Sequence, residues 1–460
     1  MKTNQTLKIR NRKFSKLEKS LVGTNIATVL LIVLLTVTLV GAVATISVYL
    51  DDLPATATYT LKTDTSNFWA VRYDGYKASE STNAATVLQY AITQLNSTGG
   101  KIVIDGHWTI TSDITIPQFS SDLIIEGMGI RGYISTFGTM SARTWLEFTG
   151  GKVITNSLAA FNTGRFVLRN MGLTFTGVTG SKTLIKCDYL YPYFEDLTIQ
   201  ESGNTYASGT YTDGVIAGSD GTVAGINAVF RNVYIDMHSN NIVGFYLHYE
   251  PVIMEGIYIS FAGTSQKGIV LDNPGTGSHG YHFNDIATWW GSYAEGCWLF
   301  LPVNSQKNAL IDFVSVATQS GAGDVTGNAI FGNRTTWSTS STKQPITINY
   351  LAGTDATTDV KWGAVAGDKV WLVSNSALMP YIRVNNFNNQ PTRRIGTATI
   401  SGATSVTFDH NLASTPIFVS ANFNDTAVTG WKWTATSTQI TITVTPSGTY
   451  TVYWEATVSY

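Results

Sequence analysis

Polar and aromatic side chains recur at alternate positions of six short segments that have the composition of β-strands. The segments are TWLEF (144–148), TLIKC (183–187), GFYLHY (244–249), GIVLD (268–272), GCWLFL (296–301) and NAIF (328–331). If the apolar residues of each segment face a core, the residues that alternate with them face outward. The chemically capable residues predicted to face outward are Glu147, Lys186, Tyr246, His248, Asp272 and Trp298.

This mixture of side chains suits a carbohydrate ligand. The C–H face of a sugar packs on an aromatic ring, and its hydroxyl groups form hydrogen bonds with carboxylate, amine and imidazole groups. Trp289 and Trp290, which we predict to lie in a loop, would extend the strip. The alternative is that these aromatic residues pack under loops or against a neighbouring subunit, and the sequence leaves both open.

Catalysis is a weaker prediction from the same residues. Glycoside hydrolysis needs two carboxyl groups about 5–10 Å apart, and nothing in the sequence forces Asp272 to meet Glu147 or Glu250. The chain has no phosphate-binding loop motif, no zinc-ligand spacing and no clear Ser/His/Asp arrangement. We therefore expect no cofactor and no metal, and the catalytic residues of any enzyme activity are unknown.

A second motif must position these strands, because it recurs through the middle of the chain. The motif has six positions: the first, fourth and sixth are apolar, the third is Asn, Asp or Gly, and the second and fifth are variable. It occurs at 125–130, 168–173, 194–199, 230–235 and 254–259, with a looser copy at 283–288. Asn, Asp and Gly enter left-handed backbone most easily, so they mark bends between strands. Repeats of this kind, with several strands and no helix per unit, predict stacked parallel β-helical coils. A large antiparallel β-sandwich is the alternative.

Stacked coils would place equivalent motif positions in columns. The third positions, which we predict to be corners, are Gly127, Asn170, Asp196, Asn232, Gly256 and Asp285. The second positions are Glu126, Arg169, Glu195, Arg231, Glu255 and Asn284. Their charges mostly alternate in sign, which favours a solvated ladder of ion pairs over a catalytic pair of carboxylates.

Residues 83–95 (NAATVLQYAITQL) form the one convincing helical pattern after residue 50. Apolar residues recur there at intervals of three and four, Asn83 can cap the start, and Gly99 and Gly100 follow the end. A short amphipathic helix here can cover the open end of the first coil, which would otherwise expose apolar residues and unpaired strand edges.

The stretch from this helix through TITSDITIP to IEGMG resembles the N-terminal part of the pectin-lyase-like right-handed parallel β-helix superfamily. That superfamily includes polysaccharide lyases, glycosidases, and tailspikes and surface adhesins of viruses, bacteria and archaea. With the repeats, the resemblance covers about residues 80–390 and implies an all-β, right-handed parallel β-helix. It does not imply an activity, because the polygalacturonase signatures and the Ca²⁺ cluster and arginine base of pectate lyases are not evident.

The N-terminal region predicts a membrane anchor. Residues 26–50 are 25 residues without a charge, 15 of them Leu, Ile or Val, and they follow a basic segment. A span of about 20 apolar residues crosses a bilayer, and the basic flank stays in the cytoplasm. We therefore expect a single-pass membrane protein with a cytoplasmic tail (1–25), a membrane helix (26–50) that contacts lipid, and an extracellular remainder. A cleaved secretory signal and a pilin-like leader are the alternatives.

Charge and cysteine content agree with an exported protein. The net charge is −2 and residues 1–20 carry +6, so the remainder carries −8, which does not suit a nucleic-acid partner. The two cysteines, Cys187 and Cys297, fall about four coils apart in the predicted stack. At about 4.8 Å per coil they are too distant for a disulfide, so we expect both to be buried free thiols.

The C-terminal region is predicted to be a separate small domain. Short alternating strands with turn residues between them follow residue 391 and predict an antiparallel β-sandwich. The segment resembles the C-terminal β-sandwich tips of tail fibres and surface proteins, some of them lectin-like and trimeric. Trp431 is a candidate carbohydrate contact, and Trp433 and His410 are further candidates.

These expectations combine into one hypothesis about organisation and function. The predicted domains are the tail, the membrane helix, a stalk with an edge strand (51–80), the β-helix (81–390) and the sandwich (391–460). The chain is expected to be a homotrimeric spike or adhesin, viral or archaeal, that attaches to surface glycans. The alternatives are an extracellular polysaccharide depolymerase, either a lyase or a glycosidase, and a structural envelope or filament subunit.

Overall fold

Two long parallel sheets dominate the structure, and successive strands of the chain alternate between them. A computed structural model describes residues 58–64, 66–129, 143–180, 182–206, 215–218, 227–247, 251–271, 281–290, 296–300, 309–318, 328–332, 346–353, 360–361, 370–373, 382–387, 390–412 and 414–458. Within these ranges the regular secondary structure consists of one α-helix and three sheets. All described residues fall in one compact unit, Thr58–Tyr460.

The first sheet has 16 strands and begins with an antiparallel part, β1 to β3, whose first strand continues in parallel with β4. With strands numbered in chain order, its members are β1 (Tyr59–Thr63), β2 (Phe68–Arg72), β3 (Lys77–Ser81), β4 (Gly100–Ile104), β5 (Gly106–Ile110), β7 (Leu123–Gly127), β8 (Thr144–Phe148), β10 (Arg165–Thr176), β12 (Tyr191–Ser202), β14 (Ala228–Met237), β16 (Val252–Phe261), β18 (Tyr281–Trp290), β20 (Ala309–Thr318), β22 (Ile346–Gly353), β25 (Ile382–Phe387) and β26 (Gln390–Pro391).

The second sheet has ten strands, and each described pair of neighbours is parallel. Its members are β6 (Ile114–Ile116), β9 (Ile154–Asn156), β11 (Thr183–Lys186), β13 (Val215–Gly218), β15 (Val243–Leu247), β17 (Gln266–Leu271), β19 (Gly296–Phe300), β21 (Asn328–Gly332), β23 (Val360–Lys361) and β24 (Val370–Val373). Between β10 and β20 the chain visits the two sheets in strict turn, so it winds as a parallel β-helix. The predicted all-β fold is confirmed.

The long strands of the first sheet bend at the predicted corners. Five of the six corner residues have positive φ: Asn170 (59°), Asp196 (51°), Asn232 (50°), Gly256 (63°) and Asp285 (57°). Gly127 is the exception, because its φ does not lie in the left-handed region. A Cβ on Gly127 would lie 2.2 Å from the backbone oxygen of Asn170, so close approach of the next coil requires a glycine there.

The predicted helix covers the first coil. It is α1 (Ala84–Gln94), and the side chain of Asn83 accepts hydrogen bonds from the backbone N–H groups of Ala85 and Thr86, as an N-cap does. Its buried residues include Val87, Leu88 and Ile92, which join the same core as the first coils. The amphipathic pattern therefore predicted both the helix and its capping position.

The interior of the coils is apolar and stacked in rows. Phe194 lies between Phe166 and Phe230, with ring centroids 5.9 and 5.4 Å away. Burying each such ring contributes about 1.5–3 kcal/mol. Cys187 is buried, as predicted, and its Sγ donates a hydrogen bond to the backbone oxygen of Ile185 at 3.5 Å, whereas the side chain of Cys297 lies outside the described residues.

The C-terminal region forms one four-stranded antiparallel sheet with its own core, which includes Ile442, Val452 and Trp454. Its strands are β27 (Arg393–Asp409), β28 (Phe418–Phe423), β29 (Gly430–Ala435) and β30 (Gln439–Thr457). The long strand β30 pairs with β27 along its length, and β28 and β29 pair with successive parts of its other edge. The antiparallel strands are therefore present, but a sandwich of two separate sheets is not confirmed.

The prediction of a single-pass membrane protein requires correction. Among the residues that the structure describes, no helix is long and apolar enough to cross a membrane. The only helix of the described ranges is α1, with 11 residues. The segment 26–50, on which the prediction depended, lies outside the described residues.

Candidate functional site

A column of residues crosses the first sheet on the C-terminal side of its corners; Glu147, Thr174 and Gln200 are partly exposed, whereas Asp236 and Ser260 are buried. Strand register aligns Glu147, Thr174, Gln200, Asp236, Ser260 and Trp289 in one column across β8, β10, β12, β14, β16 and β18. At about 4.8 Å per strand this column is about 24 Å long. We call it, together with Trp145, Tyr234, Tyr258 and the flanking His107 and His238, the lateral face.

Two tyrosines provide the aromatic part of the lateral face. Tyr234 and Tyr258 are register partners, and their rings stack with centroids 4.8 Å apart and planes 16° apart. Both are partly exposed. The pair therefore offers an extended aromatic surface next to the polar column.

Trp145 lies on the same face nearer the N-terminal end. Its Nε1 donates a hydrogen bond to Oγ1 of Thr174 at 2.8 Å. Gly172, its register partner, allows this, since a Cβ there would lie 1.9 Å from a ring carbon of Trp145. The glycine is therefore needed for the indole to lie against the neighbouring strand.

Asp236 is the centre of the polar part. Its Oδ2 lies 2.9 Å from Nε2 of His238 and accepts a hydrogen bond from Nε2 of Gln200 at 3.4 Å. The residue is 8% exposed, and within the described part of the chain its Oδ1 is buried without a hydrogen-bond partner. A ligand does not reach a buried oxygen from solvent, so the accessible polar group of this pair is His238, which is exposed.

The surroundings of Asp236 raise the pKa of two neighbouring side chains. The hydrogen bond that Nε2 of His238 donates to Asp236 outweighs the effect of burial and raises the pKa of His238. Burial, and then the charge of Asp236, raise the pKa of Tyr234. The Tyr234 hydroxyl group therefore stays protonated at neutral pH and can donate a hydrogen bond.

A buried carboxylate holds the backbone that carries His238. Oε1 of Glu201 accepts hydrogen bonds from the backbone N–H groups of His238 (2.7 Å) and Ser239 (2.6 Å). Its Oε2 accepts one from Nδ2 of Asn204 at 2.8 Å, and the residue is fully buried. These bonds fix the end of β14, so Glu201 has a positioning role.

The predicted candidates separate into different places. Glu147 is on β8 of the first sheet and contacts His107 (3.4 Å) and Thr109 (3.3 Å), whereas Lys186 is on β11 of the second sheet and pairs with Asp188 at 3.2 Å. The prediction that Glu147 shares a strip with Lys186 was wrong, because β8 pairs with β5 and β10.

Two aromatic candidates differ from the prediction in exposure. Tyr246 is 1% exposed and Trp298 is fully buried within the main core, so neither is the outward contact that we predicted. His248 and Asp272 lie outside the described residues. Alternation along a strand indicates the face on which a side chain lies, but not whether other groups bury that face.

The structure also gives the strand positions of the three other tryptophan candidates, Trp289, Trp290 and Trp431. Trp289 and Trp290 end strand β18 and do not lie in the predicted loop. The register thus brings Trp289 into the column that contains Glu147. Trp431 is on β29, 38% exposed, with its ring centroid 6.1 Å from that of Phe423. His410 is fully buried and bonded to Thr436 and Leu412, which indicates a structural role.

Sequence reasoning missed Tyr234, Asp236 and His238. They follow the corner Asn232 at alternate positions, so the period of two that identified other outward residues could have found them. The signal lies directly after the corner, in the residues at positions 234, 236 and 238.

The column before the corners is a ladder of ion pairs, as predicted. Register aligns Glu126, Arg169, Glu195, Arg231, Glu255 and Asn284. Arg169 lies 2.8 Å from Glu126, and Lys101 lies 2.8 Å from the same carboxylate. Although burial raises the pKa of Glu126, the hydrogen bonds from Lys101 and Arg169 lower it below its usual value. A carboxylate with two cationic partners is stabilised as an anion, which favours a structural role.

Comparison with known proteins gives structural similarity only. No protein-family model matches the chain, and no curated protein matches it. Among solved structures, the tailspike protein gp49 from Acinetobacter baumannii bacteriophage Fri1, described as a capsular polysaccharide depolymerase, matches with 11% identity and a TM-score of 0.36, covering 81% of this chain and 82% of its own.

Two further tailspikes match over the same share of this chain. The tailspike protein gp49 from Pseudomonas phage LKA1 has 11% identity and a TM-score of 0.24, with 92% of its chain covered. The Pseudomonas phage phi297 tailspike gp61 has 9% identity and a TM-score of 0.21, with 91% of its chain covered. At these values the similarity carries no conclusion about function.

Proposed function

We propose that this chain is a spike-type β-helix protein that binds polysaccharide through its lateral face. The observation that supports the proposal most strongly is the stacked Tyr234–Tyr258 pair beside Asp236 and His238. Such a combination matches the two sides of a sugar, an apolar C–H face and a set of hydroxyl groups.

The polar groups around Asp236 suit hydroxyl recognition. The exposed imidazole of His238 can donate hydrogen bonds, and the hydroxyl group of the partly exposed Tyr234 can both donate and accept them. A hydroxyl group both donates and accepts, so it satisfies both kinds of partner at once. The column extends about 24 Å, which is long enough for several linked sugars and favours a polymer as ligand.

Depolymerisation of the bound polysaccharide is the second candidate function. The Asp236–His238 contact favours it, since a histidine with a raised pKa beside a carboxylate can transfer protons near neutral pH. Both candidates are versions of one broader proposal, namely that the chain binds or depolymerises capsular polysaccharide in the way of a tailspike. Assembly as a homotrimer is a further part of the proposal, and light scattering of the full chain tests it.

A panel of polysaccharides tests the proposal and separates the two candidates. The full chain is applied to capsular and plant polysaccharides, and bound protein, new reducing ends and unsaturated uronates are measured together. Binding without new ends supports attachment, and new ends support depolymerisation. Absence of binding to any polysaccharide, combined with self-assembly, would favour a structural subunit instead.

The matched variants are Tyr258→Ala and Tyr453→Ala. Tyr258 lies in the stacked pair, whereas Tyr453 is a 53% exposed tyrosine on the C-terminal sheet. We expect the first substitution to weaken binding by about tenfold, as for the loss of one stacking contact. The second should leave binding unchanged.

A further inference from the structure

Three aromatic rings meet at the place where the chain passes from the second sheet to the first. The ring of Phe161 lies 5.3 Å from that of Tyr189, at 69°, and 5.9 Å from that of Tyr191, at 26°. Phe161 is 38% exposed, and both tyrosines are partly exposed. We call Phe161, Tyr189 and Tyr191 the aromatic corner; it does not include the lateral-face residues.

The backbone of Phe161 and its neighbour is fixed by hydrogen bonds from adjacent coils. The backbone N–H of Asn162 donates to the Tyr189 oxygen at 3.1 Å, and the side chain of Asn162, 1% exposed, accepts from the backbone N–H of Phe119 at 3.1 Å. Nε2 of Gln118 donates to the oxygen of Phe161 at 3.2 Å. The backbone that carries the ring of Phe161 is therefore ordered before any ligand binds, which lowers the entropic cost of binding.

Tyr189 adopts a backbone conformation that a bulky residue rarely adopts. Its φ is 57°, in the left-handed region. A strained conformation persists only when the surroundings hold it, and such outliers cluster at binding sites. Here the ring of Tyr189 is partly exposed and contacts Phe161, so strain and solvent-accessible aromatic surface occur at the same position.

The charges around the aromatic corner are compensated. Lys186 lies 3.2 Å from Asp188, which is 3% exposed, and Arg165 lies 2.7 Å from Asp122. The guanidinium group of Arg165 also lies over the ring of Tyr193, 5.5 Å from its centroid. Each of these two cations has an anionic partner, so neither leaves an uncompensated positive charge beside the rings to attract an acidic group.

We propose that the aromatic corner is a second carbohydrate site, which binds an uncharged pyranose through its C–H face. Partly exposed rings supply the apolar contact, and the compensated charges disfavour uronates and other anionic sugars. The site is separate from the lateral face and does not depend on it. A protein partner is the other class of ligand, and a measurement of molar mass distinguishes it.

The experiment uses the full chain with the lateral face disabled by Tyr234→Ala and Tyr258→Ala. Saturation-transfer NMR measures binding of the methyl glycosides of glucose, galactose and mannose, with glucuronate as the acidic probe. Single sugars avoid the avidity that two sites on one polymer would create. We expect this background to bind at least one neutral glycoside and to bind glucuronate more weakly.

Two substitutions at one position complete the test. Phe161→Ala in this background should weaken binding by about tenfold, whereas Phe161→Tyr, which keeps the ring, should preserve it. Unchanged circular dichroism confirms that both variants fold. Equal binding by Phe161→Ala and its parent, or no neutral glycoside bound by the background, would overturn the proposal. A change in molar mass caused by Phe161→Ala without a change in sugar binding would indicate a protein interface and would also overturn it.

Because the background lacks the lateral-face tyrosines, the two proposals fail separately. Loss of polysaccharide binding on Tyr258→Ala bears on the lateral face alone. Loss of glycoside binding on Phe161→Ala bears on the aromatic corner alone.

Discussion

Nδ2 of Asn232 donates a hydrogen bond to Oδ1 of Asp196, 3.0 Å away, and both residues have positive φ. The two lie at the same corner of consecutive coils, since their neighbours Leu197 and Val233 are register partners. The bond therefore joins one bend to the next. It links the sequence motif to the stacking of coils that carries the lateral face.

Substitution of Asn232 tests the role of the corner. Asn232→Ala removes the bond to Asp196 and puts a less suitable residue in left-handed backbone, so we expect a loss of about 1–3 kcal/mol in unfolding free energy. Asn232→Gly loses the bond but fits the backbone, and should cost less. Urea denaturation measures both. Asn284→Ala, on an exposed residue whose φ is not positive, is the control and should be near neutral.

Glu201 is expected to be a major contributor to stability near the lateral face. Glu201→Ala leaves the N–H groups of His238 and Ser239 without their carboxylate acceptor, and we expect a cost of about 3–5 kcal/mol.

Glu201→Gln is the matched variant. It should lower the unfolding free energy, but by less than Glu201→Ala does. Its oxygen can still accept the two N–H groups, but its amide would meet Nδ2 of Asn204. Asn204 cannot simply turn over, because its Oδ1 accepts the backbone N–H of Val178 at 2.7 Å. Equal stability of wild type and Glu201→Ala in urea would contradict the assigned role.

The His238–Asp236 pair predicts a pH dependence of stability. The pKa of His238 is raised by its hydrogen bond to Asp236, so the folded state binds the proton more tightly than the unfolded state. The stabilisation is therefore complete below the unfolded value of about 6.5 and is lost as the pH rises through the folded pKa. Asp236→Asn should lower the His238 pKa, measured by NMR titration, and remove this pH dependence. A His238 pKa unaffected by the substitution would contradict the assignment.

The contact between Gly172 and Trp145 predicts that substitutions at these two positions have non-additive effects on stability. Gly172→Ala places a Cβ where the Trp145 ring lies, so the indole must move and its bond to Thr174 is disturbed. We expect a loss of about 1–3 kcal/mol. In the Trp145→Ala background the same substitution should cost much less, because the clash is absent. A double-mutant cycle measured by urea denaturation gives the coupling, and additive effects would show that the ring tolerates the added methyl group.

Much of the fold could be predicted from local chemistry. Asn and Asp at the corners, the capped helix after Asn83 and the alternating ladder from Glu126 to Glu255 all follow from short-range patterns, and the structure contains each of them. Gly127 lies in the motif position predicted to be a corner, but the structure requires glycine there because of close packing and not because of a positive φ.

The site was harder to predict, because its geometry depends on which strands become neighbours. The alternation in TWLEF is the same whether β8 joins the first or the second sheet, so Glu147 was assigned to the wrong strip. The same alternation gives no information on burial by distant residues, and Tyr246 was therefore predicted to be exposed. The period of two places Asp236 and His238 on one face of their strand, but the contact of Asp236 with Gln200 follows only from the coil register.

Hydroxyl-radical footprinting of the full chain, with and without its tightest-binding polysaccharide, tests the central claim most directly. Mass spectrometry then reports the oxidation of individual side chains. We predict that the polysaccharide protects Tyr234, Tyr258 and His238, while Tyr453 on the C-terminal sheet is oxidised equally in both samples. Unchanged oxidation of the three lateral-face residues in the saturated complex would contradict the account.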